Sequence, residues 1–94
     1  MNISGKVKLI NETKEYGSNG FRKREIVLTT QEQYPQNILV EFIQDRTNLL
    51  DAFNIGDLVK VDINLRGREW TNDKGEIKYF NSIQGWRIEK AEDD

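Results

Sequence analysis

Arg66, Arg68 and Trp70 lead into a polar tip, and Lys78 and Tyr79 lead out of it, in the stretch "RGREWTNDKGEIKYFN". Asn72, Asp73 and Gly75 at the centre tolerate tight turns, so the stretch reads as a β-hairpin. Cations on both arms suit phosphate oxygens, and exposed rings suit unpaired bases, each stacked base contributing about 1–3 kcal/mol. Further residues of the same types lie elsewhere in the chain. Lys6 and Lys8 share the outward side of the first strand, Phe21, Arg22 and Arg24 border the first turn, and Tyr34 sits in a loop. Together these eleven residues form the candidate nucleic-acid-binding set. A second reading stands beside this one. Trp70 and Tyr79 also suit a cross-strand aromatic pair, Arg66 and Arg68 suit surface ion pairs with Glu69, Asp73 or Glu76, and Lys6 and Lys8 suit the solvent side of a strand.

Other chemistries find little support. The chain has neither Cys nor His, which leaves no ordinary zinc site, no thiol or imidazole-activated nucleophile and no imidazole acid or base. Asp57 and Asp62 fall in no calcium-type loop, and there is no glycine-rich phosphate loop. No catalytic residue, metal or cofactor is expected, and the chain is not expected to be an enzyme. No apolar run approaches the roughly 20 residues of a membrane span. The opening "MNISGKVKLI" lacks the build of a secretion signal, so a cytoplasmic location without membrane contact is expected.

The net charge is −2 over 94 residues, but its distribution is uneven. Residues 1–24 carry six Lys/Arg against two Glu, and residues 64–88 carry five against three acids. Residues 25–63 carry two against seven, and residues 89–94 one against four. Screening over about 8 Å makes local sign matter more than the total, so two basic segments brought together would make a groove. Glu41, in the middle of the third strand, puts a negative charge close to that face.

The elements that must position these residues follow from periodicity. In "ISGKVKLI", Ile3, Gly5, Val7 and Leu9 alternate with Ser4, Lys6, Lys8 and Ile10, the period of a half-buried strand. "YGSNGF" supplies a turn, "FRKREIVLTT" a second strand, "QEQYPQ" a loop with the single proline, and "NILVEFIQ" a third strand. In "DRTNLLDAFNIGD", Leu49, Leu50 and Phe53 sit at helical spacing. Asp45 or Thr47 is placed to cap the start, and Gly56 to end it, giving a helix near 46–55. The fourth strand, "LVKVDINLRGREW", turns Val59, Val61, Ile63 and Leu65 inward, with a bulge or bend expected at Gly67. "YFNSIQGWRIEK" is the fifth. Phe42 and Phe53 read as core, and Trp86 as core edge or subunit interface. Three strands, a helix and two strands is the order of a five-stranded all-β OB-fold Greek-key barrel, and the helix disfavours an SH3-like barrel. Residues 1–90 are expected to form this single domain, and 91–94 a frayed acidic tail.

The second half, with its basic-aromatic-threonine step, hairpin tip and aromatic re-entry, resembles bacterial single-stranded DNA-binding proteins. Through "RGREWT", "KGE" and "YFN", nearly the whole chain resembles the DUF3127 family of small OB-fold proteins. The resemblance implies binding of single-stranded nucleic acid, DNA rather than RNA, by a cleft to which Trp70 contributes. The bacterial proteins typically end in a long tail with an acidic-hydrophobic tip. "AEDD" closes this sequence, so partner recruitment by that route is not expected. A homo-oligomer, dimer or tetramer, is expected from outward apolar residues such as Ile10 and Trp86. The alternative function is an assembly module whose aromatic hairpin forms a subunit interface, and oligosaccharide binding comes third.

Overall fold

Alternation along the first strand produces β1, Asn2–Ile10, with Gly5 and Val7 buried and Lys6 and Lys8 exposed. The structure, a computed structural model, describes residues 1–91; the rest of the expected acidic tail, residues 92–94, lies outside the described residues. Ala91 itself donates its backbone N–H to Leu58 O at 2.9 Å. The alternation in β1 breaks at Lys8. Val7 pairs with Leu28 but Leu9 pairs with Val27, so Lys8 is an extra residue in a bulge. One inserted residue exchanges the faces. Leu9, expected inside, is therefore exposed, and Ile10, expected outside, packs against the core.

A three-residue strand not anticipated from the sequence, β2 (Lys14–Tyr16), folds back on β3 (Phe21–Thr29). Gly17 and Gly20, at φ +70° and +68°, turn the chain between them. β4 (Asn37–Ile43) follows and contributes fully buried Val40 and Phe42. The helix then differs in kind and in capping from the expectation. It is a 3-10 helix, Gln44–Ala52, whose N-cap position is Ile43 with no side-chain cap. Neither Asp45 nor Thr47 caps it. Instead Gln44 turns the chain at φ +53°, and buried Thr47 donates its hydroxyl to Gln44 O at 2.7 Å. Runs of 3-10 helix this long are uncommon without outside support. Arg24 supplies it from β3, donating to Thr47 O at 3.3 Å and Asp51 Oδ1 at 2.6 Å. Leu50 is fully buried beneath the helix, Phe53 is half-buried against the core, and Leu49 is exposed.

β5 (Leu58–Thr71) and β6 (Ile77–Lys90) form the long hairpin. At its tip Asn72 Oδ1 accepts from the backbone N–H groups of Lys74 and Glu76, both at 2.9 Å, and Gly75 takes φ +78°. The expected irregularity at Gly67 is absent, because Gly67 pairs in register with Asn81. It lies nearer the barrel, where Asp62 pairs with Arg87 but Ile63 with Gly85, leaving Trp86 as the extra residue. Trp86 is 42% exposed at this bulge.

β1 pairs with both β5 and β3, β3 with β4, β4 in parallel with β6 at Glu41–Gln84, and β6 with β5. Five strands thus close on themselves, and β2 extends β3 outside the ring. The core holds Val7, Ile26, Leu28, Val40, Phe42, Leu50, Val59, Val61 and Ile63. Burial ends at Ile63. Leu65, expected in the core, keeps the inward register but is 63% exposed, because the ribbon has by then left the barrel. The exposed arm from residue 64 to Thr71 extends about 26 Å at strand rise. The molecule accordingly measures 52 Å along its longest axis and 20 Å along its shortest. No helix among the described residues is long and apolar enough to cross a membrane.

Candidate nucleic-acid interface

The period of two along a strand gives the projecting ribbon two chemically different faces. Arg66, Arg68 and Trp70 lie on one, opposite Ser82, Phe80 and Lys78 respectively. Leu65, Gly67, Glu69 and Thr71 lie on the other, opposite Ile83, Asn81, Tyr79 and Ile77. Trp70 and Tyr79 are therefore on opposite faces, and the cross-strand aromatic pair of the second reading does not form. Trp70 sits across from Lys78, and Tyr79 across from Glu69. Both rings are open to solvent.

The cationic-aromatic face runs down into a hollow of about 400 Å³ on the outer wall of the barrel. Phe21, Lys23, Glu41 and Ile43 enter it from β3 and β4, because Ile26, Leu28, Val40 and Phe42 take the inward positions of those strands. Arg66, Arg68, Phe80, Ser82 and Gln84 enter it from the hairpin. The Arg68 guanidinium carbon lies 5.7 Å from the Phe80 ring centroid, within cation–π range. Among the described residues neither Arg66 nor Arg68 is in an ion pair, so the alternative partnering with Glu69, Asp73 or Glu76 is not seen. Both guanidinium groups remain available to an anion. The negative charge of Glu41 is countered by Lys23, 3.3 Å away, whose ammonium also lies 4.9 Å from the Tyr16 ring centroid.

The other candidates lie apart from this hollow or serve other contacts. Arg22 pairs with Asp45 at 2.8 Å, and Arg24 donates to Asn11 O as well as to Thr47 O and Asp51. Both tie the 3-10 helix to β3. Lys6 and Lys8 line a different hollow of about 860 Å³, formed with Thr29, Thr30, Pro35 and Ile55. Tyr34, 74% exposed, stands in the neighbouring loop. A ring and a cation of the first hollow, Phe80 and Lys23, were not among the sequence candidates. Counting outward from the Asn72–Glu76 tip sets Phe80 opposite Arg68. Strand alternation from Ile26 and Leu28 likewise turns Lys23 outward.

A closed five-stranded Greek-key barrel with a helix between its third and fourth strands is an OB-fold. Two solved structures share it. The mitochondrial single-stranded DNA-binding protein of S. cerevisiae aligns over 100% of this chain and 95% of its own, at TM-score 0.69 and 18% identity. The single-stranded DNA-binding domain of a Synechococcus sp. protein aligns over 94% and 90%, at TM-score 0.70 and 16% identity. At these identities the likeness is one of fold. No curated protein matches the chain. Residues 2–89 match the model of DUF3127, a domain of unknown function, and the chain belongs to that family.

Proposed function

We propose that this protein binds single-stranded nucleic acid, DNA in preference to RNA. The strand would lie across the outer wall of β3 and β4 and along the Arg66–Arg68–Trp70 face of the hairpin. The observation that carries the reading is the sorting of the ribbon, with Arg66, Arg68, Lys78, Trp70 and Phe80 on one face that continues into a concave wall. OB-folds use this wall, the second and third barrel strands between two loops, to hold oligonucleotides. The two structural neighbours, both single-stranded DNA-binding by description, support DNA as the ligand. The proposed path is centred on Phe21, Arg66, Arg68, Trp70, Lys78 and Phe80. Arg22 and Arg24 serve the helix, and Lys6, Lys8 and Tyr34 flank the other hollow. The activity proposed is binding without catalysis.

Titration of labelled oligo-dT, oligo-U and duplex at two salt concentrations tests this, with the single strands expected to bind more tightly than duplex. Trp70→Ala is expected to weaken single-strand binding by about 1–3 kcal/mol, the value of one stacked base. Its melting temperature should change little, since Trp70 faces Lys78 and has no aromatic partner opposite. Absence of binding to any single strand at low salt would end the nucleic-acid reading.

The opposite ribbon face favours a second reading, self-association. Leu65, Ile77 and Tyr79 are 63%, 52% and 74% exposed there, and Glu69 is the one charged residue of that face. A two-stranded hairpin is marginally stable alone in water, and cover on this face would hold it. We propose a homo-oligomer, dimer or tetramer, built on this face, which leaves the cationic face open. Light scattering should show a mass above the monomer, and Leu65→Glu should reduce it. A monomer at high micromolar concentration in the wild type removes this second reading and leaves the first intact.

A further inference from the structure

A carboxylate in the floor of a cationic hollow works against binding a polyanion, and Glu41 is one. Its side chain is 18% exposed, and Lys23 holds one oxygen, Oε2, at 3.3 Å. The hollow thus presents an acceptor and a donor side by side, Glu41 and Lys23, with Phe21, Phe80 and Arg68 around them. Flat side chains of this kind accept the face of a base, and a base held by its face turns its hydrogen-bonding edge to neighbouring polar groups. Glutamate accepts from an exocyclic amine such as cytosine N4. Cytosine offers that amine beside the N3 acceptor, which matches Glu41 beside Lys23. Uracil and thymine offer a single edge donor, N3–H, between two carbonyl oxygens. Lys23 can meet one of those oxygens, as it meets cytosine N3, but the second oxygen then still faces the carboxylate and is repelled.

From this pairing we infer that the hollow is a base-reading subsite that favours bases with an exocyclic amino group, cytosine above uracil and thymine. The inference rests on the single-strand reading above and adds to it a specificity and the residue that sets it. Glu41, which a general phosphate-binding surface does not call for, becomes the specificity-determining group, and Lys23 the group that orients it and completes the edge.

Oligo-dC and oligo-dU of equal length isolate the edge, since the two bases differ only at position 4 and in the N3 proton. Titrated at about pH 8, where cytosine N3 is unprotonated, the wild type is expected to bind oligo-dC about tenfold more tightly. In Glu41→Gln the carboxamide presents either its oxygen or its NH₂ to the base. The ratio should fall towards one, and affinity for both oligomers should rise as a negative charge leaves the phosphate path. Equal affinities in the wild type, tighter binding of oligo-dU, or an unchanged ratio in the variant would each overturn the inference while leaving single-strand binding standing. If neither oligomer binds, the single-strand reading falls and the inference with it.

Discussion

Replacing Gly85 by alanine is expected to destabilise the barrel by about 1–3 kcal/mol, the cost of forcing an extra methyl into a filled core. A Cβ at this position would run into Phe42 Cζ and lie 2.7 Å from Cε2 and 2.9 Å from Cε1. The ring has nowhere to go, because Phe42 is fully buried among the core residues. Either the phenyl group leaves its rotamer or β6 is pushed away from β4 at their single parallel register pair, Glu41–Gln84. Urea unfolding of Gly85→Ala measures the loss. Phe42→Leu removes the ring atoms that the new methyl would strike, so the double variant should lose less stability than the two single losses added together. Simple additivity would mean that this contact is not what excludes a side chain at position 85. Because Gln84 lines the hollow beside Gly85, displacement of β6 should also weaken oligonucleotide binding.

Replacing Arg66 and Arg68 together by alanine is expected to act on a different quantity. Each phosphate that the protein no longer neutralises takes about 0.7 off the slope of log affinity against log salt for a single strand, so the double variant should lose about 1.4. The variant's deficit should then be largest at low salt and shrink as salt rises. Trp70→Ala should instead lose affinity by a similar factor at every salt concentration, since stacking releases few counterions. Folding should be nearly unaffected in the arginine variant, as neither residue is ion-paired with a carboxylate among the described residues. A slope equal to that of the wild type would move the phosphate path to other cations, with Lys6 and Lys8 next to be tested.

Strand order and the helix position were legible in the sequence because they rest on local periodicity. Val59, Val61 and Ile63 alternate cleanly with Lys60 and Asp62, and they are buried as that pattern requires. The two bulges were not legible, because their causes lie on other strands. Lys8 is extruded because Leu9 and Ile10 take the register of Val27 and Ile26, and Trp86 because Gly85 must face the Phe42 ring. The spacing of Leu49, Leu50 and Phe53 marks a helix without choosing its type, which here goes with the Gln44 turn and the grip of Arg24. β2 is three residues long with every side chain exposed, so no hydrophobic pattern announces it. For the site, the cations and rings were visible by type. Their division between two faces depends on the length of the hairpin tip, and this parity separates Trp70 from Tyr79 and brings Phe80 beside Arg68.

The order in which the strands leave the ribosome adds a consequence of the closed ring. β1 finds its first partner early, since Lys6 pairs with Thr29 and Ile10 with Ile26. Its N-terminal half, from Asn2 to Lys6, pairs instead with Leu58 to Asp62 of β5, more than half the chain later. During synthesis residues 2–5, which have no partner on β3, are therefore expected to stay unpaired until β5 is made, and unpaired strands are where chains join one another and aggregate. The tight tip is expected to let β5 and β6 pair locally, and that hairpin would then close the ring against β1 and β4. Ser4 and Lys6, both exposed, place a polar group and a charge in that waiting segment. The lysine at the end of that segment would thus act before the native state exists, by making the waiting strand a poor template for another chain.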